Sequence, residues 1–155
     1  MEDQTPENQT QEEQIFGAPS DKMVLLVDDD ESLLDLMSHV VKKEGFRIDR
    51  AVDGAEALKK VAALGPDLLI LDMMLPGMGG YEVVREMQSR GFGAVPVVIV
   101  TGRQMDRQSI DLIRQESNVA EFMEKPVRPV ALVSLIHRIL KTQPPLKTEP
   151  AKGGL

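Results

Sequence analysis

The sequence predicts a doubly wound α/β fold, in which a five-stranded parallel sheet in the order 2-1-3-4-5 carries helices on both faces. Along residues 23–141, short apolar runs alternate with amphipathic segments. This strict alternation is typical of a parallel sheet covered on both sides, and right-handed crossovers make such a sheet doubly wound. Acids directly follow the first and third apolar runs. The order 2-1-3-4-5 seats those two strands side by side, at the point where such sheets bind ligands.

The first half of this region contains signals for three strands and two helices. The runs at 23–27 and 67–71 are almost wholly apolar, as in strands buried on both faces, whereas residues 46–51 alternate roughly as an edge strand does. Between these runs, apolar side chains recur at helical spacing, and glycines supply stop signals. The predicted elements are a strand at 23–27, a helix at 31–44 that Gly45 ends, a strand at 46–51, a helix that Asp53 caps and Gly65 ends, and a strand at 67–71.

The second half contains signals for three helices and two strands. Residues 96–100 form another apolar run, and Val84 and Met87 give the helix before it a buried face. Pro129 can open the last helix because the first helical turn has unbonded N–H groups. The predicted elements are a helix after the loop 76–80 that Gly91 ends, a strand at 96–100, a polar helix containing Ile110, Leu112 and Ile113, a strand at 119–123, and a helix from Pro129 to Leu140.

Composition excludes several classes of function. The chain has 155 residues, the length of one domain, and it has no cysteine, which excludes disulfides and thiolate metal sites. No apolar run approaches membrane-spanning length and no signal-peptide pattern is present, so we expect a cytoplasmic protein without membrane insertion. A net charge of −7 and only one tyrosine and four phenylalanines provide neither a basic patch nor a stacking platform for direct nucleic-acid binding.

Three segments differ in character. Residues 1–22 contain six acids, one lysine and almost no apolar residues, so we predict a disordered acidic tail. Residues 23–141 are nearly balanced in charge and form the predicted domain. Residues 142–155 are rich in proline, lysine and glycine, which indicates a flexible C-terminal tail or a linker.

Polar residues with matching chemistry follow four of the strands. Asp28 and Asp29 follow the first strand, Asp72 the third, Thr101 the fourth and Lys125 the fifth. The carboxyl ends of parallel strands meet at one edge of the sheet. Clustered carboxylates repel one another unless a cation intervenes, and Mg²⁺ fits because it shares phosphate oxygens with a few carboxylates. We therefore predict a magnesium site beside a lysine and a hydroxyl, suited to a phosphoryl group.

Asp72 is the candidate phosphoacceptor, because it stands alone at the end of the central strand. A carboxylate there can attack phosphorus and form an acyl phosphate. Mg²⁺, Lys125 and backbone N–H groups would meet the developing charge. The chain lacks a Walker-type glycine loop, so the phosphoryl donor should come from outside.

These residues resemble the receiver domain of bacterial two-component response regulators, in the superfamily of the chemotaxis regulators. The resemblance covers about residues 23–141 and implies a flavodoxin-like fold. Four stretches carry it, namely Val27-Asp28-Asp29-Asp30, Leu71-Asp72-Met73-Met74-Leu75-Pro76-Gly77, Val100-Thr101-Gly102 and Phe122-Met123-Glu124-Lys125-Pro126.

The resemblance implies a role for each site residue. Asp28, Asp29 and Asp72 would hold Mg²⁺, and the backbone carbonyl of Met74 would complete the protein ligands. A sensor histidine kinase or a phosphotransfer protein would phosphorylate Asp72. Thr101 and Lys125 would contact the phosphoryl group, and the Lys125–Pro126 bond would be cis. The protein would then be a phosphoacceptor switch and not an enzyme, limited to self-phosphorylation and slow autodephosphorylation.

The resemblance also implies a route for the signal. Thr101 would move toward the phosphate, and the ring of Phe122 would turn inward. The output would go to a downstream protein, not identified by the sequence, through the face formed by the fourth helix, the fifth strand and the fifth helix. The resemblance leaves a homodimer open.

The chain departs from the family pattern at several positions. Phe122 stands where a tyrosine is frequent, which leaves the inward ring without a hydroxyl to hydrogen-bond. Gly79 stands where an aspartate is frequent. Asn118 replaces a glycine, and we expect little structural effect because asparagine tolerates the left-handed conformation. His39 and His137 have no second ligand at metal spacing, so we expect both on exposed helix surfaces.

Two other classes of function are compatible with parts of this pattern. A phosphorylation-independent, receiver-like interaction module would keep the fold without the chemistry, but the full set of pocket residues argues against it. A phosphatase-type hydrolase with an aspartyl nucleophile would need a second acid two residues after Asp72, where the sequence has Met74.

Overall fold

A computed structural model describes residues 16–102 and 104–144 and confirms the predicted fold class. Five strands and five helices alternate along the chain, after a short 3-10 turn at Pro19–Asp21. The strands are β1 Met23–Val27, β2 Arg47–Ala51, β3 Leu68–Asp72, β4 Val97–Thr101 and β5 Val119–Glu124. The helices are α1 Glu31–Lys43, α2 Gly54–Leu64, α3 Gly80–Ser89, α4 Arg107–Arg114 and α5 Pro129–Leu140.

The five strands form one parallel sheet in the order β2-β1-β3-β4-β5, as predicted. Val27 pairs with Leu71 in register, so the residues that follow β1 come level with the end of β3. Asp72 pairs with Val100, and Thr101 pairs with Glu124. The order and register therefore bring the ends of β1, β3, β4 and β5 to one edge.

Alternation along the strands divides the core into two clusters, one on each face of the sheet. Leu25 and Leu69 pack with α2, α3 and Ile113 of α4 on one face. Val24 and Ile70 pack with α1 and α5 on the other. Every residue of β3 is buried, as expected for a central strand covered on both faces.

Aspartates are the N-cap residues of three of the helices. The side chain of Asp30 accepts hydrogen bonds from two backbone N–H groups at the start of α1, and Asp53 and Asp106 each accept one at α2 and α4. An aspartate at this position satisfies N–H groups that have no partner within the helix. The acidic run after β1 therefore supplies the cap of α1 as well as the side chains of the site.

Several predicted boundaries differ from the observed ones by one residue: β3 and β4 lie one residue later than predicted, β2 begins one residue later, β5 ends one residue later and α1 ends one residue earlier. β3 includes Asp72, which pairs with Val100 of β4, and it begins at Leu68; Asp67 precedes the strand and accepts a hydrogen bond at Oδ2 from the N–H of Met23, 2.8 Å away. β2 begins at Arg47, and Phe46 is buried in the core just before it.

The described ends of the chain differ from the expected unstructured tails. Gly17 and Thr142 form a parallel bridge, in which Gly17 N–H donates to Lys141 O (2.9 Å) and Gln143 N–H donates to Gly17 O (3.1 Å). Thr142 is buried. Parts of residues 16–22 and 142–144 therefore have a defined structure, through this backbone pairing and the 3-10 turn. The remainder of the two predicted tails lies outside the described residues.

Two expectations about single residues are wrong. His137 is buried, and its ring nitrogens contact Thr142 Oγ1 (2.6 Å) and Glu44 Oε1 (2.8 Å). Of the two histidines, His39 alone is exposed on its helix, as expected. Asn118 does not have a positive φ. Its buried side chain instead accepts a hydrogen bond from Gln88 at 2.6 Å, so the residue makes a tertiary contact that no glycine could make.

None of the helices within the described ranges is long and apolar enough to span a membrane.

Gly80, the first residue of α3, lies against the end of β3. A Cβ atom on Gly80 would come within 2.9 Å of Met73 Cα and 3.0 Å of Asp72 O, both backbone atoms. A Cβ on the adjacent Gly79 would have its nearest neighbour at 3.7 Å, an ordinary contact. The close approach of α3 to the strand that carries Asp72 therefore requires a glycine at position 80 and not at position 79.

We expect Gly80→Ala to lower the free energy of unfolding by about 1–3 kcal/mol, because the methyl group forces backbone apart. Gly79→Ser is the matched control, because it adds the same Cβ atom and serine is a favourable N-cap at the position that Gly79 holds; it should lose no more than about 0.5 kcal/mol. Urea unfolding monitored by circular dichroism measures both. Equal stabilities of the two variants would contradict the close packing at Gly80.

Candidate functional site

The predicted site residues meet at the carboxyl edge of the sheet. Asp28 and Asp29 follow β1, Asp72 ends β3 and Thr101 ends β4. Lys125 directly follows β5, and its backbone N–H donates to Thr101 O at 2.8 Å. Residues that are up to 97 positions apart in the sequence, Asp28 and Lys125, thus lie in contact.

Three carboxylates form the acidic part of the site. Asp28, Asp29 and Asp72 each offer an oxygen, and these oxygens lie within 4.8 Å of one another. Asp28 and Asp72 are buried, with 1% and 3% of their surface exposed, whereas Asp29 is exposed. Two buried acids at this separation repel each other, so the site favours a cation.

Lys125 is the cation that the described chain supplies. Its Nζ lies 3.1 Å from Asp28 Oδ2 and 3.5 Å from Asp72 Oδ1. Burial lowers the pKa of Lys125, but the two carboxylates more than offset this, and the pKa lies above its ordinary value. Lys125 therefore stays protonated, and its charge is closer to Asp28 than to Asp72.

The pKa of Asp72 is raised to about 6. Burial is the largest cause and the negative charge of Asp28 the second, while Lys125 and the backbone N–H of Met74 act in the opposite direction. One lysine thus does not compensate for the burial of two acids. At neutral pH the Asp72 carboxyl is largely ionised, although folding disfavours its charged form. A second cation would lower this cost in free energy.

Asp28 provides an independent indication of a metal ligand. Its Oδ1 accepts a hydrogen bond from the N–H of Asp30 at 2.9 Å. Its Oδ2 is buried without an aligned hydrogen bond, although Lys125 Nζ is near enough for an ion pair. Since buried polar atoms are normally satisfied, an unsatisfied carboxylate oxygen beside two further carboxylates fits a hard divalent cation such as Mg²⁺.

Thr101 is buried at the end of β4, with 6% of its surface exposed. The N–H of Met73 donates to Val100 O at 3.0 Å, which ties the end of β3 to β4. Together with the bond from Lys125 to Thr101 O, this fixes the hydroxyl-bearing strand between Asp72 and Lys125. The Lys125–Pro126 bond is cis.

Two predicted residues lie outside the acidic cluster. Met74 is in the loop after β3, and 67% of its surface is exposed. Phe122 is in β5, and it is partly buried against the core cluster that includes Ile113. The guanidinium carbon of Arg114, the last residue of α4, lies 4.5 Å from the centroid of the Phe122 ring. No pattern in the sequence indicates this contact, because the two residues belong to different elements.

The arrangement can hold a phosphoryl group. It combines a buried carboxylate that could act as a nucleophile, an oxygen-ligand set for a metal, a lysine and a hydroxyl. These are the groups that stabilise charge on the oxygens of a transferring phosphoryl group.

Comparison with known families gives one matching model. The model of the response regulator receiver domain matches residues 24–137, which include Asp28, Asp72, Thr101 and Lys125.

Curated relatives are response regulators. Sensory transduction protein RegX3 of Mycobacterium tuberculosis is 35% identical over 118 residues, which is 76% of this chain and 50% of that protein. DNA-binding response regulator MtrA of Mycobacterium leprae is 37% identical over 119 residues, 76% of this chain and 51% of that protein. The chain therefore spans about half the length of the curated relatives that it matches.

Solved structures of receiver domains have the same fold. The signal receiver domain of a Luxo repressor protein from Vibrio parahaemolyticus has a TM-score of 0.70 at 30% identity, over 77% of this chain and 90% of that one. A CheY-like receiver domain from Methanospirillum hungatei has a TM-score of 0.70 at 27% identity, over 77% and 93% of the two chains.

We expect Asp72→Asn to stabilise the metal-free protein at pH 8 by about 1–2 kcal/mol, because the pocket disfavours the charged carboxylate and water at its mouth screens part of the effect. An acid whose pKa is raised on folding contributes stability below its unfolded pKa and loses it as the pH rises through the folded value. The gain from Asp72→Asn should therefore grow between about pH 4 and pH 6.

Urea unfolding across that pH range, in the presence of a chelator, measures the gain. Asp111→Asn, an exposed acid on α4, is the control and should change stability little at any pH. If Asp72→Asn destabilises the metal-free protein at pH 8, the charge of Asp72 is compensated and our account of its pKa is wrong.

Proposed function

Because the chain belongs to the response regulator receiver domain family, we propose that it is a phosphoacceptor switch in which Asp72 receives the phosphoryl group. The observation that carries the proposal is the position of Asp72, a buried carboxylate with a raised pKa, between two further aspartates and Lys125. Receiver domains are switches that are generally not enzymes, and receivers bind Mg²⁺ in an acidic pocket. For this chain we propose self-phosphorylation and slow autodephosphorylation only.

In the proposed step, a carboxylate oxygen of Asp72 attacks the phosphorus of an external donor. The new O–P bond forms as the bond between phosphorus and the donor breaks, and the leaving group departs with that electron pair, as acetate when the donor is acetyl phosphate. The product is an acyl phosphate. Asp72 must be ionised to attack, and with a pKa of about 6 it is largely so at neutral pH.

The neighbouring residues would orient the group and balance its charge. Asp28, Asp29 and Asp72, with the backbone carbonyl of Met74, would hold Mg²⁺, which when bound withdraws charge from the phosphoryl oxygens. Lys125 Nζ, 3.5 Å from Asp72 Oδ1, would donate to one phosphoryl oxygen. The buried hydroxyl of Thr101 would donate to another.

Response regulators interact with histidine kinases and phosphotransfer proteins, and we propose such a donor for Asp72. The signal would leave through the face formed by α4, β5 and α5 and reach a downstream protein by direct contact. On that face Leu112 is half exposed and Arg138 pairs with Glu121 at 3.3 Å. A homodimer through this face is compatible with the proposal.

The proposal predicts that a small phosphodonor, such as acetyl phosphate with Mg²⁺, adds one phosphoryl group to the protein. Intact-mass spectrometry measures the gain. Asp72→Asn should show none, because the amide cannot attack phosphorus, and Asp53→Asn, which keeps a capping oxygen on α2, should behave as the wild type. A wild type that gains no mass, or a gain that survives Asp72→Asn, would refute the proposal; a phosphorylation-independent interaction module would then be the better reading.

We expect Asp28→Asn to weaken Mg²⁺ binding at least about tenfold, because it removes a charged ligand oxygen from a buried site. Asp30→Asn is the matched control two residues away: Asp30 caps α1, and asparagine caps equally well. Isothermal titration calorimetry with MgCl₂ compares the dissociation constants. Equal weakening by both substitutions would point to a general loss of negative charge and not to a ligand at Asp28.

A further inference from the structure

Among the helices of the described region, α4 is the one with the fewest buried residues. Only Ile113 of α4 is buried, whereas the other four helices each bury three or four residues. Elements with few buried apolar contacts are the first to move or open. The few contacts that α4 does make therefore have a large influence on its position.

These contacts concentrate at the C-terminal end of α4. Arg114 stacks its guanidinium over the Phe122 ring at 4.5 Å, which joins the helix to β5. Glu116, two residues further on, accepts a hydrogen bond from Gln88 of α3 at 3.0 Å and lies 3.8 Å from Arg85. At the N-terminal end, the side chain of the cap Asp106 accepts a hydrogen bond from the N–H of Ser109 of the same helix, and no side-chain bond to another element is found there among the described residues.

The two ends of α4 relate differently to the pocket. The N-terminal end is joined to Thr101 by the short connection from 102 to 106. The C-terminal end is held by Phe122, which lies three residues before Lys125 on β5. A displacement of Thr101 would therefore pull on the weakly held end of the helix, and the Arg114 stacking would resist the tilt at the other end.

We propose that Arg114 is a positioning residue whose stacking on Phe122 holds α4 in the unphosphorylated arrangement and so restrains phosphorylation of Asp72. This inference rests on the proposed function. The contact uses the ring face and needs no phenolic hydroxyl, which suits the phenylalanine at position 122.

Removal of the cation should shift the population of α4 toward the arrangement that phosphorylation requires. We expect Arg114→Gln to raise the initial rate of phosphorylation by acetyl phosphate about two- to fivefold, the range that an exposed cation–π contact corresponds to. Arg114→Lys keeps a cation but lacks the planar guanidinium that stacks on the ring, so its rate should lie between those of the wild type and Arg114→Gln.

Arg107→Gln is the matched control, because Arg107 is an exposed arginine in the first turn of the same helix. It should phosphorylate at the wild-type rate. The Mg²⁺ dissociation constant should be the same in all four proteins, which separates a change in α4 from a change in the metal site. A second readout is the ¹⁹F spectrum of protein labelled with 4-fluorophenylalanine, in which Phe122→Leu identifies the Phe122 signal. That signal should shift in Arg114→Gln and stay in place in Arg107→Gln.

The outcomes separate the two proposals. A wild type that takes up phosphoryl groups, with equal rates in Arg114→Gln and Arg107→Gln or a lower rate in Arg114→Gln, overturns the role of Arg114 and leaves the proposed function intact. A wild type that takes up none overturns both. An unchanged Phe122 signal in Arg114→Gln also overturns the role of Arg114, because the contact is then absent in solution.

Discussion

The electrostatic imbalance at the end of β3 is the constraint on which the rest of the structure depends. Asp72 and Asp28 are both buried, and Lys125 is the one basic residue of the described part of the chain that pairs with them. The pKa of Asp72, raised to about 6 by burial and by Asp28, records that imbalance. A site built for stability alone would have neutralised one of these acids, since an unbalanced buried charge costs free energy. The same imbalance leaves the pocket with a demand for a divalent cation and for the positive groups that a phosphoryl group also needs.

The parallel topology makes this concentration of charge possible. Only a sheet in which β1 and β3 are neighbours brings Asp28 and Asp72 together, and the in-register pairing of Val27 with Leu71 sets their level. The apolar core clusters on the two faces of the sheet provide the burial that raises the pKa of Asp72. Close backbone contact, at Gly80 against Met73 and Asp72, then fixes the end of β3 in place. The fold therefore determines the properties of the site, because its core provides the low-dielectric surroundings of the buried acids.

The sequence was sufficient to predict the fold and the clustering of the polar strand ends, because both follow from local patterns. Apolar runs define the strands, and parallel strands end at a common edge. The errors fall where a tertiary contact decided the outcome. His137 is buried because Glu44 and Thr142 bond both ring nitrogens, and Asn118 is buried because Gln88 bonds its side chain. No periodicity or motif encodes such partners. The stacking of Arg114 on Phe122 escaped sequence analysis for the same reason.

The core supports the five helices unevenly. A phosphoryl group bound at Asp72 can shift an equilibrium only by the difference in its interactions with the two arrangements. That difference can move an element only if the element is held by comparably few contacts, and α4 alone among the described helices buries a single residue. A deeply packed α4 would resist such a shift, and without the contacts of Arg114 and Glu116 the helix would be positioned mainly by the packing of Ile113. Anchoring at the C-terminal end satisfies both requirements, and the end with fewer tertiary hydrogen bonds among the described residues follows Thr101 in the chain.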